Sequence, residues 1–369
     1  MYIHEKQNWP ALSWDKEKLT EKLAALRHQQ GRLLGKMQAL GFDLKQEAVL
    51  TTLTADVIKS SEIEGENLDL EQVRSSIARR LGMDIQGGTE KIDRHVDGIV
   101  EMMMNATTHF DRPLTEERLF GWHAALFPTG WSGLFKIKVG TWRDDANGPM
   151  QVVSGPMGRE QVHFEAPAAS RLPREMQGFL AWLNQDSPMD PVCKAGLAHL
   201  WFVSIHPFDD GNGRIARALT DLLLARSEQT SQRFYSLSTQ IQKERKVYYD
   251  LLESTQKGNL DITPWMNWFL DCLTRAIQGA EDSLSAVLFK AKCWKIWKDL
   301  SLNLRQRTVL NRLFNSFEGK LTSSKWATLA KCSQDTASRD IDDLIKKKVL
   351  VKTDSGGRST SYKIAEGVK

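Results

Sequence analysis

The sequence predicts a mainly α-helical chain with one β-hairpin among the helices and a small basic unit at the C-terminal end. Three observations carry this. Most segments space their apolar residues at helical period, as Leu19, Leu23, Leu26, Leu33, Met37 and Leu40 do. Before the last quarter of the chain, the best strand signal is Gln151-Val152-Val153 with Gln161-Val162-His163-Phe164, flanking the turn Ser154-Gly155-Pro156-Met157-Gly158. Charge is uneven: from Arg305 onward there are 14 Lys/Arg against 7 Asp/Glu, or +7, so with a net +4 the first 304 residues sum to −3.

At 369 residues the chain is long enough for two or three domains with a well-buried core. Its 41 % hydrophobic and 26 % charged residues are ordinary for a soluble globular protein. Cys193, Cys272, Cys293 and Cys332 lie far apart with no CxxC pair, which points to reduced thiols and away from a zinc site. No apolar run reaches membrane-spanning length, and Met1-Tyr2-Ile3-His4-Glu5-Lys6 lacks a signal-peptide core, so the expectation is a cytoplasmic protein with no membrane partner. A basic end on a mildly acidic body suggests nucleic-acid contact at that end only.

The elements follow in order. A first helix spans roughly 16–40 and stops at Gly41; a second runs from about Leu44 to Glu62. Asp69 with Gln72 reads as an N-cap and capping box for a third, ending near Gly82. Met83–Asp93, with Gly87-Gly88, reads as a loop, and helices follow at about 94–110 and 115–127. The helical signal fades from Pro128 to Phe164, where the hairpin lies, and resumes at about 167–184 and 190–205. One long helix is expected over 237–255. Thr263-Pro264 supplies a capping hydroxyl and a proline at the first helical position, starting two helices that reach about residue 300. Short helices at Arg307–Phe317, Ser323–Ala330 and Ser333–Lys347 then precede strands at Val349–Val351 and Ser361–Ile364, around Asp354-Ser355-Gly356-Gly357. Three helices and a Gly-tipped hairpin are the winged-helix order. The domain boundaries expected are 1–93, 94–278, a connecting helix over 279–304, and 305–369.

Chemistry concentrates in His206-Pro207-Phe208-Asp209-Asp210-Gly211-Asn212-Gly213-Arg214-Ile215-Ala216-Arg217. Asp-Gly-Asn-Gly is loop composition, and an Ala/Leu-rich helix former follows it. A loop entering a helix N-terminus offers free N–H groups and a positive dipole end to a phosphate. Asp210 can hold Mg²⁺, Arg214 and Arg217 lie one turn apart and can pair phosphates, and His206 can take a proton from an attacking hydroxyl. Together these are the parts of nucleotidyl transfer. Two rival phosphate motifs fail. Gly211-x-Gly213-x-x-Ala216 lacks the preceding strand of a dinucleotide fold, and Gly31 to Lys36 misses a P-loop by one residue and its hydroxyl.

The twelve residues match every fixed position of HxFx(D/E)GNGRxxR, and the chain therefore resembles the Fic family (filamentation induced by cAMP). The resemblance implies a Fic-type helical core with a β-hairpin flap, an N-terminal helical extension and protein adenylylation. In that activity ATP gives AMP to a Ser, Thr or Tyr hydroxyl of a target protein, or of the chain itself. By the same resemblance His206 is the general base, Asp210 the Mg²⁺ ligand, and Gly211, Asn212 and Gly213 the anion hole. Arg214 and Arg217 orient the β- and γ-phosphates, and Phe208 anchors the loop.

Tyr248 and Tyr249 are candidates for the base pocket of ATP, with core packing as the equal alternative; His199 reads as core. The hairpin looks like the family's flap, where Val152, Val153, Val162 and His163 would meet an extended target segment adding as a strand. Ser60-x-x-x-Glu64-Gly65 matches the family's inhibitory motif, in which Glu64 would pair with Arg217. The alternative reading is a DNA-binding regulator that uses the winged helix, with the Fic core as a sensor or de-AMPylating module. Its candidate base contacts are Gln334, Thr336, Ser338 and Arg339, and Lys346, Lys347, Lys348 and Arg358 would face phosphates. A homodimer is a further expectation from the resemblance.

Overall fold

The computed structural model describes residues 1–83, 91–155, 159–317, 319–353 and 360–365. The chain divides into two units, Met1–Glu281 and Asp282–Lys369.

The first unit is a helical body. Helix α1 (Lys16–Gln38) starts at Asp15, whose side chain accepts from the Lys18 N–H. It turns Leu19, Leu26, Leu33 and Met37 inward, the stripe its periodicity predicts. Helix α2 (Phe42–Ile63) is buried along most of its C-terminal half, through Leu50, Leu53, Val57, Ser60, Ser61 and Ile63. It packs against α3 (Leu70–Arg80) and α4 (Arg94–Thr108). Asp69 caps α3 by accepting from the Gln72 N–H at 2.8 Å, but the box is not reciprocal: the Gln72 side chain accepts from the Asp93 N–H instead. Of the loop expected at Met83–Asp93, residues 84–90 lie outside the described residues.

Helix α5 (Glu116–Leu126) leads into a region where the sequence carries no strand signal. Two short antiparallel strands form there, β1 (Trp131–Ser132) and β2 (Phe135–Lys136). The expected hairpin follows as β3 (Gln151–Ser154) and β4 (Gln161–Glu165), with Val152 opposite Phe164 and a register shift after Val152. Its turn residues 156–158 lie outside the described residues.

Helix α6 (Leu172–Asn184) precedes the central pair, α7 (Pro191–Ile205) and α8 (Asn212–Glu228). Helix α7 is apolar on every side and buried from Val192 onward except at Lys194, while α8 is buried continuously from Arg214 to Ala225. The loop between them therefore emerges from the best-packed part of the unit, which limits its freedom.

Two helix expectations are corrected. The single helix over 237–255 is two, α9 (Leu237–Lys243) and α10 (Arg245–Gln256). Glu244 leaves helical geometry (φ −110°, ψ 21°) while its carboxylate takes two bonds of 2.6 Å from Arg275 and one from Trp268 Nε1. Long-range bonding here outweighs helix propensity. Conversely, the two helices expected between Thr263 and residue 300 are one, α11 (Thr263–Ile296), followed by a 3₁₀ turn at Trp297–Asp299. Gly279 costs about 1 kcal/mol inside a helix, too little to end one whose apolar pattern continues. Thr263 does not cap it, and Pro264 is its second residue. The Thr263 hydroxyl accepts from the Asp15 N–H at 2.8 Å and donates to Asp261.

In the second unit, α12 (Leu304–Ser316), α13 (Ser323–Ala330) and α14 (Gln334–Lys346) are followed by β5 (Leu350–Lys352) and β6 (Tyr362–Ile364). The strands pair antiparallel, and Trp326, Ile341, Leu344 and Leu350 centre a core of their own. Residues 354–359, including Arg358, lie outside the described residues. Among the described residues no helix is long and apolar enough to cross a membrane, and the four cysteines are free thiols.

Candidate active site

The site begins where α7 stops. His206 takes the left-handed conformation (φ 53°, ψ 59°) and its N–H closes the helix on the Phe202 carbonyl. Its Nδ1 faces the Val203 carbonyl at 3.3 Å; a carbonyl only accepts, so Nδ1 carries the hydrogen and Nε2 is left with its lone pair. Burial pushes the imidazole down to about 4, against the opposing pull of the Val203 carbonyl. The ring is neutral at neutral pH and able to take a proton.

The next residues are held from several sides. Phe208 is fully buried, its ring stacked on His123 at 4.2 Å between centroids. The Asn212 side chain accepts from the Phe208 N–H at 3.0 Å and donates to the Phe208 carbonyl at 2.8 Å, so Asn212 ties the loop to its own helix start. Gly211 supplies the left-handed turn (φ 80°) that starts α8. The N–H groups of Asn212, Gly213 and Arg214 fall in the first turn, where no intrahelical acceptor exists. Asp210 stands beside them, accepting from the Gly211 N–H at 2.6 Å and from the Ser132 hydroxyl.

Both signature arginines are engaged by the segment after α2. Arg217 is 2 % exposed. Its Nε donates to Ser60 Oγ at 2.9 Å, and its Nη2 donates to the Ser60 carbonyl at 2.8 Å and to Glu64 Oε1 at 2.7 Å. Burial alone would lower its pKa, but Glu64 and the nearby tyrosines more than offset this and raise it. Arg214 lies over the Phe127 ring and donates from Nη1 to Glu66 at 2.8 Å. The Glu64 carboxylate sits against the backbone of Gly213: a Cβ there would lie 2.3 Å from Glu64 Oε1. Thus the anion that faces the first turn of α8 belongs to the chain itself.

The two tyrosines separate. Tyr248 is 2 % exposed, and its hydroxyl meets His199 Nε2 at 2.9 Å, with His199 Nδ1 on Thr220. It is a core residue, as is His199. Tyr249 is 37 % exposed, stacks under Arg245, and turns its hydroxyl towards Ile63 and Glu64. On the hairpin Val153 and Val162 are exposed, whereas His163 bonds Glu253 of α10 and Ser154, both at 2.6 Å. His163 ties the hairpin down. On α14, the Gln334 amide donates to Ser324 at 3.1 Å and Thr336 Oγ1 meets Ser333 at 2.9 Å, while Arg339 is exposed.

Sequence reasoning missed several residues that shape the site. Arg143 is buried, donating to the His206 carbonyl at 2.7 Å, to the Pro167 carbonyl at 2.6 Å and to Asp145. His123, besides stacking on Phe208, accepts from the Gly140 N–H and donates to the Asp210 carbonyl, both at 3.2 Å. Its burial lowers its pKa to about 4, consistent with a neutral ring. Ser132, Glu66 and His95 complete the set. None carries a local signal that sets it apart from its neighbours.

Residues 113–224 match the Fic/DOC family. The chain carries a Fic/DOC domain. Residues 2–83 match a second family, described as a domain of unknown function (DUF4172). The chain is 29 % identical over 224 residues to a protein adenylyltransferase Fic of Drosophila ananassae, covering 58 % of this chain and 39 % of that protein. It is 36 % identical over 132 residues to one of Culex quinquefasciatus, covering 34 % and 25 %. It thus spans well under half the length of these curated relatives.

Among solved structures, a Fic family protein from Desulfovibrio desulfuricans superposes with a TM-score of 0.51 at 21 % identity, over 94 % of this chain and 97 % of that one. A Fic domain-containing signaling protein from Bacteroides thetaiotaomicron gives 0.53 at 22 % identity, over 70 % and 96 %. These likenesses bear out the mainly helical Fic-type fold.

Proposed function

We propose that the Fic domain transfers AMP from ATP to a protein hydroxyl, and that Glu64 holds the site shut. One observation carries the reading: His206, with Nε2 unprotonated, stands at the entry of a loop whose helix start is flanked by Asp210, Arg214 and Arg217. The names of the curated relatives support the same activity.

In this reading the hydroxyl of the target gives its proton to His206 Nε2 as its oxygen bonds to the α-phosphorus. The bond from that phosphorus to the bridging oxygen breaks, and pyrophosphate leaves. The first-turn N–H groups of α8 and the two arginines hold the phosphate oxygens once Glu64 has withdrawn. Phe208, fixed by His123 and Asn212, keeps the loop from yielding as charge moves along the phosphates. Tyr249 lines the nucleotide side; Tyr248 supports it from the core.

The residues present fit a Mg²⁺ ion. Asp210 offers one carboxylate beside the phosphate-facing helix start, and no cluster of three or more His, Cys, Asp or Glu is found among the described residues. Mg²⁺ characteristically takes one or two carboxylates together with substrate phosphates. Asp210 would hold it, and when bound it neutralises phosphate charge.

Targets would dock along β3 and β4, where Val153 and Val162 are exposed, as an added strand. The deciding experiment incubates the Glu64→Gly chain with Mg²⁺ and ATP labelled in the α- or the γ-phosphate. Adenylyl transfer gives labelled protein from the α-label only. Label from the γ-position would mean phosphoryl transfer, and label from neither would remove the proposed activity.

A further inference from the structure

Glu64 has a neighbour that no part of the signature accounts for. Helix α2 ends in a Schellman turn: the Gly65 N–H bonds the Glu62 carbonyl and the Glu66 N–H bonds the Ser61 carbonyl, each at 3.0 Å, with Gly65 left-handed (φ 83°). The turn fixes Glu64 and Glu66 relative to one another and sends one carboxylate to each signature arginine. Glu64 goes to Arg217. Glu66 Oε2 goes to Arg214, and Glu66 Oε1 goes to Nε2 of His95, on α4. The other nitrogen of that ring, Nδ1, meets the Leu126 carbonyl at 3.0 Å. Carboxylate and carbonyl both accept only, so both ring nitrogens donate and His95 is an imidazolium. Its bond to Glu66 raises its pKa, in agreement.

Two cations from separate helices therefore converge on one anion. The Arg214 side chain is nearly inaccessible, whereas those of Glu66 and His95 are about one-third exposed, so the anion can leave and the cations remain. Arg214 Nε is buried and has no partner among the described residues. The two oxygens of Glu66 are used by His95 and by Arg214 Nη1. A phosphate brings a further oxygen that can take the remaining donor.

We propose that Arg214 and His95 form a subsite for a tail phosphate of the nucleotide, and that Glu66 fills it as a built-in competitor. His95 is then a phosphate-binding residue contributed from outside the signature. The inference rests on the nucleotide-binding reading of the site given above.

The test is calorimetric binding of ATP and AMP to the full chain in the Glu64→Gly background, which frees Arg217. Adding Glu66→Gln tightens ATP binding, and adding His95→Gln weakens it, each by about tenfold, the scale of one charge-assisted hydrogen bond. His95→Lys, which keeps a cation, binds ATP better than His95→Gln. AMP, which lacks the tail phosphates, binds all variants alike. If His95→Gln leaves ATP binding unchanged, or tightens it as Glu66→Gln does, His95 only steadies Glu66 and the subsite is wrong. Equal weakening of ATP and AMP would mean a disturbed fold, and would also overturn it. A Glu64→Gly chain that binds neither nucleotide removes the nucleotide reading itself, an outcome distinct from the others.

Discussion

Glu64 Oε1 accepts from Arg217 Nη2 at 2.7 Å across 153 positions of sequence. The bond closes the C-terminal end of α2 onto the first turns of α8. It places a carboxylate at the end of α2 that the α2 dipole disfavours, against the positive end of α8, which favours it. The Glu64 side chain keeps 31 % of its exposure while that of Arg217 keeps 1 %. The arginine is thus the committed partner and the glutamate the one able to leave.

Removing Glu64 strands a buried guanidinium. Glu64→Gly should lower stability by about 1–3 kcal/mol, less than for a fully buried pair because solvent already reaches the carboxylate and Ser60 still holds Arg217. ATP should restore more stability to this variant than to the wild type, since nucleotide phosphates supply the missing anion. Denaturant unfolding with and without MgATP measures both. Equal stabilisation of the two chains would argue against a shared place for Glu64 and phosphate.

The pH dependence follows from His206. Its folded pKa of about 4 lies below the ordinary 6.5, so the base form persists at pH values where an exposed histidine is already protonated. In the Glu64→Gly chain kcat/KM should stay level from neutral pH down to about 5.5 and fall only below that, as protonation removes the acceptor. An acid limb centred near 6.5 would show that Nε2 is not held as described.

Gly213 tests where the anions sit. A methyl group there would meet Glu64 Oε1 at 2.3 Å and Arg217 Nη1 at 3.2 Å. Gly213→Ala should therefore break the Glu64–Arg217 pair without activating the domain, because the same methyl would occupy the space proposed for the phosphates. ATP binding by Glu64→Gly/Gly213→Ala should fall at least about tenfold relative to Glu64→Gly, the effect of losing one charge-assisted contact. An active, ATP-binding double variant would place the phosphates elsewhere.

If targets dock on the hairpin as proposed, substitutions there should separate target from nucleotide. Val153→Asp and Val162→Asp change exposed positions on β3 and β4. They should reduce transfer to an added target severalfold and leave ATP affinity within about twofold, as expected for substitutions away from the phosphates. Competition assays read both quantities on one preparation. A parallel loss of ATP affinity would mean that the hairpin serves the nucleotide and not the target.

The contrast between what was legible and what was not has a physical cause. The loop from His206 to Arg217 could be read because its chemically distinctive residues are contiguous, so local composition reports them. Glu64 could be read only through its motif. Arg143, His123 and His95 could not, since each acts on a segment at least 29 positions away and nothing local marks it. The same holds for the fold. The apolar stripe of α1 and the burial of α7 follow from local pattern. The break at Glu244 is made by Arg275 and Trp268 on a distant helix. Strands β1 and β2 have two residues each, too few for alternation to show, and Ser132 on β1 nonetheless bonds Asp210.

The proposed activity depends on whether freeing Arg217 lets His206 act. Intact-mass measurement of the wild type, Glu64→Gly and Glu64→Gly/His206→Ala, each incubated with MgATP, tests this directly. The expected result is AMP adducts on Glu64→Gly, few or none on the wild type, and none on the double variant despite ATP binding. Adducts on the double variant, or equal adducts on the wild type and Glu64→Gly, would contradict it.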